Sequence, residues 1–86
     1  MKPIVMIILE HCPHCRNARR WMAELKEEYP QYQTLPIEMI DEQLHPEVTK
    51  TYSYYYVPTY YVDGIKAHEG VPTKEIVREV FELALA

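Results

Sequence analysis

The sequence has no apolar run long enough to cross a bilayer. Its longest, Ile4 to Leu9, falls far short of the roughly 20 residues that a spanning helix needs. No cleavage-site pattern follows that run, so neither a signal peptide nor a membrane anchor is expected, and a cytoplasmic location is the default expectation. Basic charge is also scarce. Nine Lys and Arg stand against thirteen Asp and Glu, a formal net charge of -4, without a basic cluster, so nucleic acid is not an expected partner. Repeats, linkers and low-complexity segments are missing, and the 86 residues are read as a single domain, 1-86, acting as a monomer. A hydrophobic content of 48% with 26% charged residues belongs to an ordinary globular chain and excludes a disordered one. Cysteine is scarce too: there are two, and in a reducing compartment a lone pair is more often catalytic or metal-binding than a structural staple.

Both cysteines lie in His11-Cys12-Pro13-His14-Cys15, between an apolar run and a helical pattern. Met1 to Leu9 reads as a strand buried on both faces, because it is continuously apolar from Ile4 onward. From Pro13 the pattern is helical. Cys12 then falls at the mouth of a helix and Cys15 one turn inside it on the same side, within bridging reach. The first N-H groups of a helix have no internal partner and carry partial positive charge, so an anion such as a Cys12 thiolate is stabilised there. Attack on a disulfide needs the thiolate, which makes Cys12 the candidate nucleophile and Cys15 the resolving thiol. Pro13 suits the first helical position, and His14 is expected to donate toward the Cys12 sulfur. These two are the candidate thiolate-tuning residues.

Other readings of the cluster are open at this level. A buried free cysteine often serves as a small hydrophobe. Two Cys and two His within five residues also supply ligand types for zinc. Adjacent His11 and Cys12 converge poorly on one ion with Cys15, and no second Cys pair follows; His45 and His68 are the distant alternatives. The expectation is no metal and no bound organic cofactor.

Ala18, Trp21, Met22, Leu25 and Tyr29 recur at helical spacing up to Pro30, with Trp21 expected in the core and Arg16 and Arg20 on the solvated face. Thr34 to Ile40 alternates as a second strand, placed at a sheet edge by Pro36, and the intervening helix makes it parallel to the first. Asp41 to Tyr52 is expected to be a helix. Val57 to Val62 is the third strand, and Asp63-Gly64 signals a hairpin into a fourth, Ile65 to His68. Thr73 is the expected N-cap of a final helix with a broad apolar face. The order β-α-β-α-β-β-α predicts an α/β fold: one four-stranded mixed sheet with helices on both faces.

With Cys12-Pro13-His14-Cys15 after the first strand and Val57-Pro58-Thr59 opening the third, followed by Asp63-Gly64, the chain resembles the thioredoxin superfamily over nearly its whole length. It is most similar to a glutaredoxin or a small glutaredoxin-like thioredoxin. The resemblance implies a protein-disulfide oxidoreductase cycling Cys12 and Cys15 between dithiol and disulfide. It also implies a cis Val57-Pro58 bond beside the dithiol, and a substrate site at Val57, Pro58 and Thr59 where Val57 pairs its backbone with an extended substrate. Glutaredoxins bind glutathione through a lysine before the first Cys, a Thr-Val-Pro stretch and a Gly-Gly pair. Here Leu9-Glu10-His11 has no lysine, Tyr56 replaces the threonine and Gly70-Val71 replaces the glycines. Disulfide-containing proteins are thus the expected substrates and a thioredoxin-type reductase the expected electron source, with glutathione as the alternative. The Pro13-His14 pair is similar to that of periplasmic dithiol oxidases, so the direction of electron flow is open.

Overall fold

The computed structural model describes residues 1–86. Eight elements follow in order: β1 (Ile4–Ile8), α1 (Pro13–Glu28), a 3-10 turn (Pro30–Tyr32), β2 (Ile37–Asp41), α2 (Pro46–Thr49), β3 (Thr59–Val62), β4 (Ile65–Glu69) and α3 (Lys74–Leu85). The sheet order is β2-β1-β3-β4. β1 runs parallel to β2 and antiparallel to β3, and β3 is antiparallel to β4, the mixed α/β sheet that the sequence predicts. No helix is long and apolar enough to cross a membrane.

As an inner strand, β1 must be apolar on both faces. Ile4, Met6 and Ile8 join a core with Cys15, Ala18, Met22 and Leu25 of α1 and Val77, Val80, Phe81 and Ala84 of α3, while Ile7 is equally buried on the opposite face. That second face is thinly covered. Tyr61 stacks on Tyr52 at a centroid distance of 4.8 Å and donates its hydroxyl to the Ser53 carbonyl (2.8 Å). On the first face Tyr32 is fully buried against Phe81 in edge-to-face contact. Its hydroxyl donates to Glu82 (2.7 Å) and accepts from Arg78 (3.2 Å), so the ring adds core area without an unpaired polar end. Lys74 ties α3 to Glu24 and Glu28 of α1.

Several boundaries differ from expectation, four of them for an identifiable reason. β1 begins at Ile4 rather than Met1, where the Ile4 N-H donates to the Pro36 carbonyl (2.9 Å). β2 begins at Ile37, because Pro36 has no N-H for a ladder; the strand does lie at the edge. The helix expected over Asp41 to Tyr52 shrinks to one turn. Asp41 ends β2, and its carboxylate accepts the Gln43 and Leu44 N-H groups, a local turn that competes with helix. β3 starts at Thr59 rather than Val57, since the Pro58 carbonyl accepts from Gly70 N-H (3.0 Å) instead of joining a neighbouring strand. The hairpin is as expected: Asp63 and Gly64 both have positive φ, 53° and 81°, the pairing a two-residue turn requires. Thr73 caps α3, accepting the Ile76 N-H at 3.1 Å. Trp21 is half-buried against the core, with the Arg20 guanidinium 5.6 Å from its ring centroid, so it is a rim residue rather than an interior one.

Phe81 sits where α3, the 3-10 turn and the sheet meet. Phe81→Ala is expected to cost about 3–5 kcal/mol of unfolding free energy by urea titration; a loss under about 1 kcal/mol would contradict this placement.

Candidate active site

Cys12 is the N-cap of α1 and Pro13 its first residue. The Cys12 N-H donates to the Leu9 carbonyl (3.1 Å), and the Cys12 carbonyl accepts the first helical hydrogen bond, from Arg16 (3.0 Å). The chain therefore leaves the central strand, turns once and starts the helix at the cysteine. Because no acidic residue lies in the first turn and no side chain caps it, the positive end of the helix is left to the Cys12 environment.

The two sulfurs differ in exposure. Cys12 is half-buried at the edge of the core, whereas Cys15 is 1% exposed within it, and both are free thiols. Burial pushes the Cys15 thiol up to about 12, opposed by the backbone at Leu9 and reinforced by the Cys12 thiol beside it. Beneath it Tyr60 is fully buried, and its hydroxyl donates to the Met22 sulfur at 3.4 Å. Burial, with Cys15 nearby, pushes the Tyr60 phenol far up as well. The floor of the pair is therefore uncharged at neutral pH.

The Val57-Pro58 bond is cis. Register brings it to the dithiol: Ile7 of β1 faces Thr59 of β3, so Pro58 falls beside the end of β1 from which Cys12 emerges. His14, Tyr56, Val57, Gly70 and Val71 line one shallow groove of about 350 Å³, joining the start of α1 to the loops around Pro58 and Gly70. A larger hollow, about 680 Å³, lies on the outer face of α3 between Glu75 and Ala86 and contains neither cysteine.

Within this site two expected roles change. His14 is exposed and borders the groove, but it makes no hydrogen bond to the Cys12 sulfur; among the histidines, His68 has a ring hydrogen bond, to the Val71 carbonyl. Thr59 is fully buried and donates its hydroxyl to the Tyr56 carbonyl, so its side chain braces the loop rather than touching a substrate. Pro58 is likewise buried, and Val57 is half-buried. Val57 alone in this stretch has both backbone polar groups free. Its neighbours are engaged: the Tyr56 N-H by Glu69, the Tyr56 carbonyl by Thr59 and the Pro58 carbonyl by Gly70. Sequence reading missed Glu69, whose partners lie on a distant loop. No group of three or more His, Cys, Asp or Glu is placed to hold a metal ion.

Comparison with known proteins bears on this arrangement. A thioredoxin domain family model matches residues 4–82. The chain is 32% identical over 74 residues to a thioredoxin of Methanocaldococcus jannaschii, spanning 86% of this chain and 85% of the relative. Among solved structures it is similar to oxidised thioredoxin from Plasmodium falciparum, with a TM-score of 0.74 at 20% identity over 99% of this chain and 82% of that one. It is also similar to Fasciola hepatica thioredoxin, with a TM-score of 0.70 at 20% identity over 96% and 80% of the two chains. At these identities the two structures show a shared fold.

Raising the Cys15 thiol from its ordinary 9.0 to about 12 makes stability pH-dependent. Above pH 9 the unfolded chain releases this proton while the folded one keeps it. The contribution is therefore complete below pH 9 and is lost as pH climbs toward 12, at up to about 1.4 kcal/mol per pH unit. Urea unfolding of the reduced protein at about pH 8 and about pH 10.5 is expected to show a steeper loss than in Cys15→Ala. Equal slopes in the two proteins would contradict the burial of this thiol.

Proposed function

The chain belongs to the thioredoxin domain family and is in general terms a thiol–disulfide oxidoreductase; on that premise we propose that it reduces protein disulfides with Cys12 as nucleophile and Cys15 as resolving thiol. The observation that carries this reading is the asymmetry of the pair: Cys12 is partly exposed at the helix start, and Cys15, one turn on and interacting with it, is buried. An approaching disulfide meets Cys12 first.

In the first step the Cys12 thiolate attacks one sulfur of the substrate disulfide. A Cys12–substrate disulfide forms, the substrate S–S bond breaks, and the departing substrate thiolate takes a proton from water. In the second step Cys15 gives up its proton and attacks the Cys12 sulfur. The Cys12–Cys15 disulfide forms and the second substrate thiol leaves, so two electrons pass from the pair to the substrate. A thioredoxin-type reductase then restores the dithiol, and the protein needs no metal or bound organic cofactor. Work as a reductant fits a reducing compartment such as the cytoplasm.

Substrate is held along Val57. Its unpaired N-H and C=O groups can form a short ladder with an extended polypeptide, which gives affinity from main-chain hydrogen bonds with little demand on side chains. Pro13 keeps the helix start open next to Cys12 by occupying the first position without an N-H. His14 contributes through the groove it borders with Val57 and Tyr56.

Cys12→Ser should reduce insulin disulfides only at the uncatalysed rate, while Cys15→Ser should accumulate a mixed disulfide on Cys12 visible by mass spectrometry. Retained turnover in Cys12→Ser would refute the assignment. Turnover with thioredoxin reductase and NADPH is expected to exceed that with glutathione and its reductase; the reverse order would move the protein to the glutathione-dependent branch.

A further inference from the structure

At Tyr55 and Tyr56 the chain has little side-chain packing to hold it. Tyr55 and Tyr56 are 90% and 70% exposed, so their rings cannot fix the backbone that carries them. What holds it is one carboxylate from the far strand. Glu69, the last residue of β4, accepts the N-H groups of both Tyr55 and Tyr56 on Oε2, the latter at 2.9 Å. Its Oε1 takes the Lys66 ammonium at 2.7 Å, and the Glu69 side chain is only 19% exposed. From that point to β3 the backbone is pinned at each step except Val57, through Thr59 to the Tyr56 carbonyl and Gly70 to the Pro58 carbonyl.

We propose that Glu69 is a positioning residue for disulfide exchange: its carboxylate holds the Tyr55–Tyr56 backbone so that the free N-H and C=O of Val57 form a fixed edge for polypeptide disulfides. This rests on the proposed function. Lys66 sets the carboxylate so that one oxygen is left for the loop. The Lys66 ammonium and the two amide N-H groups together hold the Glu69 carboxyl down to about 2, so the clamp stays charged across the working pH range, and its contribution to stability fades only as pH falls from about 4.5 toward 2. An edge ordered before the substrate arrives spares the ordering cost at binding. A small disulfide, which has no strand to pair, gains nothing from it. Glu69 therefore favours polypeptide over small-molecule disulfides.

The test compares Glu69→Ala and Glu69→Gln with the unaltered protein on two substrates, insulin and hydroxyethyl disulfide, alongside amide hydrogen exchange at Tyr55 and Tyr56. Losing the ordered edge is expected to lower kcat/KM for insulin about ten-fold in Glu69→Ala, mostly through KM, and to speed exchange at both amides, with the rate on hydroxyethyl disulfide unchanged. Glu69→Gln keeps an acceptor oxygen at the same reach and should recover most of both effects. Equal slowing on the two substrates, unchanged exchange, or no gain from glutamine over alanine would overturn the inference. An unaltered protein that leaves insulin disulfides intact would sink the function proposed above, and the substrate role of Glu69 with it, whatever the exchange data show.

Discussion

Two cysteines three positions apart lie at different depths, one half-buried at the edge of the core and the other within it, and the fold around them keeps that difference. Cys12 stands where the strand has ended and the helix has not yet closed its first turn; Cys15 stands one turn later, facing the sheet. The helical pitch alone would put both on one side of α1. Their difference in depth comes from β1 being an inner strand, whose end delivers the chain to the edge of a core already filled by Met6, Ile8, Tyr60 and Phe81. A pair of equally exposed thiols would have no built-in order of attack. Here burial distinguishes them, and it pushes the Cys15 thiol well above its ordinary value.

The sheet also brings a second chain segment to the same point. Antiparallel pairing of β1 with β3 sets the start of β3 against the end of β1, so the cis Val57-Pro58 bond needs no further device to reach the dithiol. The loop in front of it is held from β4, through Glu69 and Gly70. Gly70 has a φ of 95°, a backbone shape that glycine adopts without strain, and this directs its N-H to the Pro58 carbonyl. The site thus draws on three turns at one end of the sheet. This economy suits a chain of 86 residues, in which few groups are spare for tasks other than folding.

Much of this was legible in the residues. The continuous apolar run of β1, the proline at the head of α1, Asp63-Gly64 and the Thr73 cap each act over a few positions, and local rules describe them well. The resemblance carried by the two separated motifs implies the cis Val57-Pro58 bond, which the structure has. What escaped detection depends on partners far along the chain. Nothing near Glu69 reveals that its carboxylate will meet the backbone of Tyr55 and Tyr56, and nothing near Thr59 shows that its hydroxyl will turn inward. The second helix is shorter than the pattern from Asp41 to Tyr52 suggests, because in the fold Asp41 closes β2 and turns its carboxylate onto Gln43 and Leu44. Proximity in sequence suggests a bond from His14 to the sulfur, whereas in the fold His14 makes none and borders the groove.

The asymmetry of the two thiols is open to direct measurement by timed alkylation of the reduced native protein with iodoacetamide, followed by peptide mass spectrometry. Cys12 is predicted to be labelled first and Cys15 to resist until the protein is unfolded. Labelling of both residues at similar rates, or of Cys15 ahead of Cys12, would contradict the arrangement on which the proposed chemistry depends.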